Sequence, residues 1–420
     1  MINTQIPVRN KANVSKICGN YTIAPGVWQT VPISFVEQYG FDKDFEFDYS
    51  SFSEQMRTVD SEGLQTFDFW CPLSAVDGYG RHALTIYKGL QQIGIHPILR
   101  TDGWGIDTNY LPSDISSTRY LNAGKMPLKL ALMMTLPYHI FQVQSIYKII
   151  ITQFETDHIP EKHVENVNTM DHLIVTSSFQ PDIWKRSGCK IPISVMKSGV
   201  DTDAFPYKER SNDGKFKVLI LGALTGRKNP MGAIRIFQHA SKGNPNWELC
   251  IKSRNADGIH DVIKVAENDP RINVILNDTP PHKLIDFYNH YDCLLWPSKG
   301  EGCGLPPLEA MSTGMELVCS DNSGMRDFVD EKWCYPIRTA GMEPANIPNV
   351  GFSSRYTTQF GQVGNWWVPD EHHAVSQLTK CYENWKDGNG KGKKGAEYVR
   401  KYHSLEVQAE SVMKIIGKYL

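Results

Sequence analysis

Two glutamates with seven residues between them, Glu301 and Glu309, bracket the run Gly302-Cys303-Gly304-Leu305-Pro306-Pro307-Leu308. A pair of carboxylates supplies acceptors for hydroxyl groups such as those of a sugar. The residues between them suit a different chemistry. Gly302 and Gly304 allow close backbone approach and positive φ, while Pro306 or Pro307 fits the first turn of a helix, whose free N–H groups and dipole favour a phosphate. A diphosphate could rest there without a metal. Taken singly, Glu301 reads better as a solvated loop charge and Glu309 as a partner for a nearby base. The apolar strand before them and the glycines and prolines between them favour a shared cleft.

Further elements have the same strand, turn and helix layout. Leu221-Gly222-Ala223-Leu224-Thr225-Gly226-Arg227-Lys228-Asn229-Pro230 ends a strand, turns at Gly222 and opens a helix with two cations that suit a diphosphate. The alternative is a basic pair at a frayed helix start. Asp77-Gly78-Tyr79-Gly80-Arg81 is a glycine turn between strand and helix in the first half. Ile151 to Pro160 follows a buried strand and brings Glu155 and His158 to the strand end, where α/β folds bind ligands. Glu155 is the candidate acceptor-side group; the rival reading is that Glu155 or His158 caps the next helix.

These groups need a scaffold, and the sequence alternates accordingly. From Gln65 an apolar strand, a glycine turn and an amphipathic helix recur to about residue 200, beginning with Phe67 to Trp70 and a helix carrying Ala83, Ile86, Tyr87 and Leu90. Strands are expected at Ile95 to Leu99, Tyr147 to Ile151, Leu173 to Thr176 and Ile193 to Met196. The polar stretch Lys208 to Gly214 separates the halves. The second half restarts with Lys217 to Gly222, then Trp247 to Ile251, Ile272 to Leu276 and Cys293 to Trp296. A helix from about Ala396 to the end carries an apolar stripe through Val407, Val412, Ile415 and Ile416. Residues 1–60 alternate polar and β-forming residues around Gly19, Pro25-Gly26 and Pro32, which reads as a β-rich appendage. The expected division is 1–60, 61–207, 208–395 and a helix at 396–420.

The setting P-S-x-x-E-G-x-G-L-P-x-L-E-A-M, residues 297–311, resembles the family 4 type of retaining glycosyltransferase. The resemblance implies an α/β chain of GT-B architecture, with two Rossmann-like domains facing across a cleft, and transfer from a nucleotide-sugar donor with retention of configuration. It implies that Glu301 lies beside the donor sugar and that Glu309 holds the ribose hydroxyls. Lys228 falls on the diphosphate-binding lysine of similar enzymes, whose earlier arginine would fall at Ala223; Arg227 is the candidate substitute. Gly78 and Gly80 are similar to the family's N-terminal glycine loop, and Thr152 to Pro160 to the T-x-F-E-T-D-x-x-P segment of one branch. Thr176-Ser177-Ser178-Phe179 and Ser198-Gly199-Val200-Asp201 resemble elements preceding the interdomain linker. The expected donor contacts are Gly222, Arg227, Lys228, Gly302, Cys303, Gly304, Leu305, Glu309, Gly78 and Gly80, with Glu301, Lys228 and Glu155 as the catalytic set. The likeness covers about residues 65–420 and leaves the first 55 or so unexplained.

Bulk properties narrow the field. The 420 residues are 41% hydrophobic and 21% charged, which suits folded domains, and the net charge of −2 offers no global attraction to nucleic acid or anionic lipid. Nine scattered cysteines without a C-x-x-C pair suggest reduced thiols, and with no secretory signal or long apolar span, a cytoplasmic chain is expected. There is no H-E-x-x-H, so no metal or cofactor is expected beyond the donor itself. A hydrolase would want G-x-S-x-G, and a nicotinamide enzyme a third glycine after Gly78-Tyr79-Gly80. A glycosidase has no diphosphate to hold. A GT-B sugar-nucleotide epimerase and a catalytically idle nucleotide-sugar-binding module stay open. The acceptor is a hydroxyl of open class, a glycan or a hydroxylated base in phage-type DNA among others; donor base, sugar and oligomeric state are open too.

Overall fold

The computed structural model describes residues 5–18, 20–32, 35, 44–47, 66–75, 77–101, 111, 128–141, 143–210, 212–254, 260–346 and 352–420. Gly19, Gln65 and Ser211, read above as turn, unit start and linker, lie outside them.

Two six-stranded sheets carry the molecule. The first runs Ile193–Val195, His172–Val175, Tyr147–Thr152, Leu130–Met134, Asp68–Trp70 and Ile98–Arg100, all parallel. The second runs Ile272–Leu276, Trp247–Ser253, Phe216–Leu221, Cys293–Trp296, Glu316–Ser320 and Tyr335–Ile337, again parallel throughout. Parallel strands covered on both faces must be apolar on both faces. Leu130–Met134, Cys293–Trp296 and Glu316–Ser320 are buried along their whole length. In each sheet the first strand lies between its second and a later one, so neighbouring connections leave in opposite directions and open a crevice at the strand ends. The turns after those first strands contain Asp77 to Arg81 and Gly222 to Lys228.

The described part of the N-terminal appendage is β-structured, as its composition suggested. Gln5–Asn10 pairs antiparallel with Trp28–Pro32 on one side and Phe45–Phe47 on the other, beside a Lys16–Cys18 and Tyr21–Ile23 hairpin.

The single terminal helix expected from about Ala396 is two helices, Gly392–Tyr402 and Leu405–Ile416. Ser404 breaks them: its backbone is extended and its hydroxyl caps the second helix at the Val407 N–H. The second helix joins the core of the first domain, where Ala409, Val412 and Ile416 pack with Ala83, Ile86 and Leu90. Val399 of the first stays with the second domain.

An excursion not foreseen from sequence also crosses the cleft. Thr339–Pro344 pairs antiparallel with Asn365–Pro369, and the connection contains the helix Ser354–Phe360. Ala345, Val363 and Trp366 are buried in the core of the first domain with Trp70, Ile150 and Trp184. Asp157 accepts the Asn365 N–H at 2.6 Å, which fixes the excursion to the segment that carries Glu155.

Candidate active site

A cavity of about 420 Å³ opens between the strand ends of the two sheets. The first domain lines it with Gly78, Tyr79, Arg81, Gln153 and Glu155, and the second with Gly222, Ala223, Arg227, Lys228 and residues 301–306. Gly80 is not among the lining residues; it closes the turn, its N–H bound by the Asp77 carboxylate at 2.8 Å as the first helix begins.

The loop before the helix Leu305–Ser312 has the conformation its composition anticipates. Gly304 takes φ +73°, a left-handed backbone that favours glycine, and supplies the helix N-cap without a side-chain bond. The N–H groups of Gly302, Cys303 and Gly304 have no acceptor among the described residues. Beside the N-terminal end of a helix, such free donors form a ready site for an anion.

Glu301 is not a solvated charge. It is 5% exposed. It accepts from Lys228 Nζ at 2.5 Å and from Arg227 Nη1 at 3.1 Å. Burial pushes its carboxyl up, but the two cations outweigh this and hold it at about 2. Burial pulls Lys228 below the ordinary lysine range even as Glu301 favours its charge. The Lys228 ammonium also sits 4.6 Å from the Trp296 ring centroid, a cation–π contact. Arg227 bridges further, to the Gly300 carbonyl and, at 3.6 Å, to Glu155. The basic pair is therefore built into the cleft, and Arg227 reaches the cavity that Ala223 borders.

Glu309 stands one turn into its helix and does pair with a base: Arg81 of the first domain. Its other oxygen accepts from the Tyr288 hydroxyl at 2.7 Å. It lines an adjoining cavity of about 280 Å³ that shares Ala75, Arg81 and Leu305 with the larger one. The two carboxylates thus border neighbouring chambers, not a single one, because Glu301 turns to Lys228 and Glu309 to Arg81.

Glu155 and His158 do not cap the following helix, Glu161–Val167, whose N-cap Pro160 has no side-chain bond. Cys303 lies 3.7 Å from His82 Nδ1, and burial raises its thiol to about 12 and lowers the imidazole to about 4. Arg81, Tyr288, Trp296 and Gln153 were not singled out from sequence. Arg81 had a signal in its place beside the glycine turn; Tyr288 had none, since it reaches Glu309 only through the packing of the helix Pro281–His290. Among the described residues no cluster of three or more His, Cys, Asp or Glu is placed to hold a metal, and no helix is long and apolar enough to cross a membrane.

Residues 201–333, the span holding Lys228, Glu301 and Glu309, match the family model described as Glycosyl transferases group 1. Residues 201–333 thus resemble a group 1 glycosyltransferase domain, and the fold is GT-B. Over 155 residues the chain is 27% identical to GDP-mannose:cellobiosyl-diphosphopolyprenol alpha-mannosyltransferase of Xanthomonas oryzae pv. oryzae (strain PXO99A), a match covering 36% of this chain and 40% of the relative. Over 180 residues it is 26% identical to lipopolysaccharide core biosynthesis mannosyltransferase LpcC of Rhizobium leguminosarum bv. viciae, covering 39% and 48%. These matches span less than half the length of either relative. The fold is shared with sucrose-phosphate synthase from Thermosynechococcus elongatus, at TM-score 0.60 and 13% identity over 84% of this chain and 98% of that one.

Proposed function

We propose that this protein is a retaining glycosyltransferase that moves a sugar from a nucleotide-sugar donor to a hydroxyl acceptor. The observation that carries the reading is that Lys228 and Arg227 line the same cavity as Gly302, Cys303 and Gly304, whose N–H groups have no acceptor among the described residues. Fixed donors and cations aimed at one place stabilise the charge that grows on a departing diphosphate. The arrangement supplies that charge stabilisation without calling on a metal.

In this reading Glu301 lies beside the donor sugar and orients Lys228, Glu309 takes the ribose hydroxyls, and Glu155 faces the acceptor. The bond between the anomeric carbon and the diphosphate oxygen breaks. The acceptor oxygen attaches to the same carbon on the same face, and its proton passes to the leaving phosphate. The relatives' names favour a GDP-sugar, GDP-mannose first, as the donor to try. The charge of −2 gives a DNA acceptor no support. Ala223, where similar enzymes carry an arginine, supports a second reading in which the site binds the donor without turnover.

The test is a thermal-shift panel of UDP-, GDP-, ADP- and CDP-sugars with and without EDTA, followed by a hydrolysis assay of whichever donor stabilises. A ligand bound only by the native state at 100 times its Kd stabilises by about 2.7 kcal/mol. One responding nucleotide class, insensitive to EDTA and turned over, is the expected result. Stabilisation without turnover would favour the idle module, and no response to any donor would remove both readings.

A further inference from the structure

The carbonyl of Gly302 leaves the donor loop and enters the first domain. Ser177 Oγ donates to it at 2.7 Å, with Thr176 Oγ1 at 3.1 Å and Gln180 Nε2 at 3.4 Å. Behind Ser177, Gln180 Nε2 donates to the Ser177 hydroxyl at 2.9 Å, and Gln180 Oε1 accepts the Phe154 N–H at 3.3 Å. This is a directional relay from amide to hydroxyl to carbonyl, and in a buried site each bond polarises the next. All three side chains are buried. The same turn is tied across the cleft a second time, since the Ser178 N–H donates to Asp327 Oδ2 at 2.8 Å.

A trans peptide points its C=O and the following N–H in opposite directions. With the Gly302 carbonyl held towards Ser177, the Cys303 N–H is turned the other way. Gly324 packs so tightly against this peptide that a Cβ there would collide with the Gly302 carbonyl. The peptide is gripped by the first domain and backed by the second.

The geometry points to Ser177, with Gln180 behind it, as a positioning residue for the phosphate cradle. The first domain sets the orientation of the Gly302–Cys303 peptide on which the donor diphosphate rests, an inference that depends on the donor-site reading above. Its consequence is a coupling: the cradle is fully formed only while the two domains are together.

The probe is inorganic pyrophosphate, titrated calorimetrically into the full chain as wild type, Ser177→Ala, Ser177→Thr and Gln180→Glu, with a thermal midpoint for each. Ser177→Ala and Gln180→Glu are expected to bind pyrophosphate about ten-fold more weakly, the size that outer-shell hydrogen bonds contribute at metal sites. The Ser177→Ala midpoint should stay near wild type, the Gln180→Glu midpoint should fall because it buries a carboxylate, and Ser177→Thr, which keeps the hydroxyl, should recover the affinity. In transfer assays kcat should fall while KM for the acceptor holds. If Ser177→Ala fails to fold, Gln180→Glu carries the test, because its carboxylate draws the Ser177 proton away from Gly302. Equal pyrophosphate affinity in wild type and the folded variants would overturn the positioning role and leave the donor site standing. A wild type that binds no pyrophosphate would remove the donor-site reading and this inference with it.

Discussion

Arg81 and Glu309 form an ion pair across the cleft, one from the first turn of the helix Gly78–Gln92 and the other from the helix that follows the donor loop. Glu309 is 4% exposed. The carboxylate assigned to the ribose hydroxyls is therefore already engaged, and a donor must share it with Arg81 or displace that side chain.

Removing one partner of a buried pair strands the other. Arg81→Ala should destabilise the protein by about 3 kcal/mol in urea unfolding, at the lower end for broken buried pairs. Arg81→Ala combined with Glu309→Gln should recover much of this, since no charge is left unpaired. Single losses that simply add in the double mutant would argue against a direct coupling.

Glu301 makes stability depend on acid. Its carboxyl lies at about 2 in the folded protein against an ordinary 4.5. In that interval the unfolded chain binds the proton more readily, so the stability Glu301 contributes is present above 4.5 and is lost as pH falls towards 2. Urea midpoints followed down through this range should fall more steeply for wild type than for Glu301→Gln. Parallel curves would mean that the Lys228 and Arg227 contacts do not hold the charge in solution.

Lys228→Ala and Glu309→Ala should each cut transfer, the first by roughly 10²-fold or more, as for loss of a preorganised donor to a developing charge. Circular dichroism should report an intact fold in both. Near-normal rates for the pair would take the site away from these residues.

Gly324→Ala tests the backing of the donor loop. A Cβ at Gly324 would stand 2.8 Å from the Glu301 carbonyl oxygen and closer still to that of Gly302. The backbone cannot yield as a side chain would, so overpacking of about 1–3 kcal/mol is expected. Donor affinity should fall with it. An unchanged thermal midpoint and unchanged donor binding would show that the loop has slack.

Much of this site can be read from residue order because each element is local. The Glu301 to Pro307 loop, the Gly222 turn and the Asp77 to Gly80 turn each combine a strand end, a glycine and a helix start within about ten residues, and periodicity identifies all three. The strands Leu130–Met134, Glu316–Ser320 and Tyr335–Ile337 were not resolved from sequence, since short buried apolar runs lack an alternating signature. The partners of Glu309 were hidden for another reason. Arg81 is 228 positions away, and no local pattern encodes a contact made by docking two domains. The break at Ser404 was visible in principle as a capping serine, since the stripe from Val407 to Ile416 begins only after it.

The excursion at 339–369 bears on how such a chain can change over time. A second domain grafted onto a foreign first domain would bring Ala345, Val363 and Trp366 with it and need a matching hollow to bury them. Without one, three apolar side chains would face water, and the hairpin would lose its anchor at Asp157. The halves are thus poor interchangeable modules. On the proposed reading, a new acceptor preference would arise by remodelling in place, with substitutions around the helix Glu161–Val167 matched by others in the helix Ser354–Phe360 that packs on it.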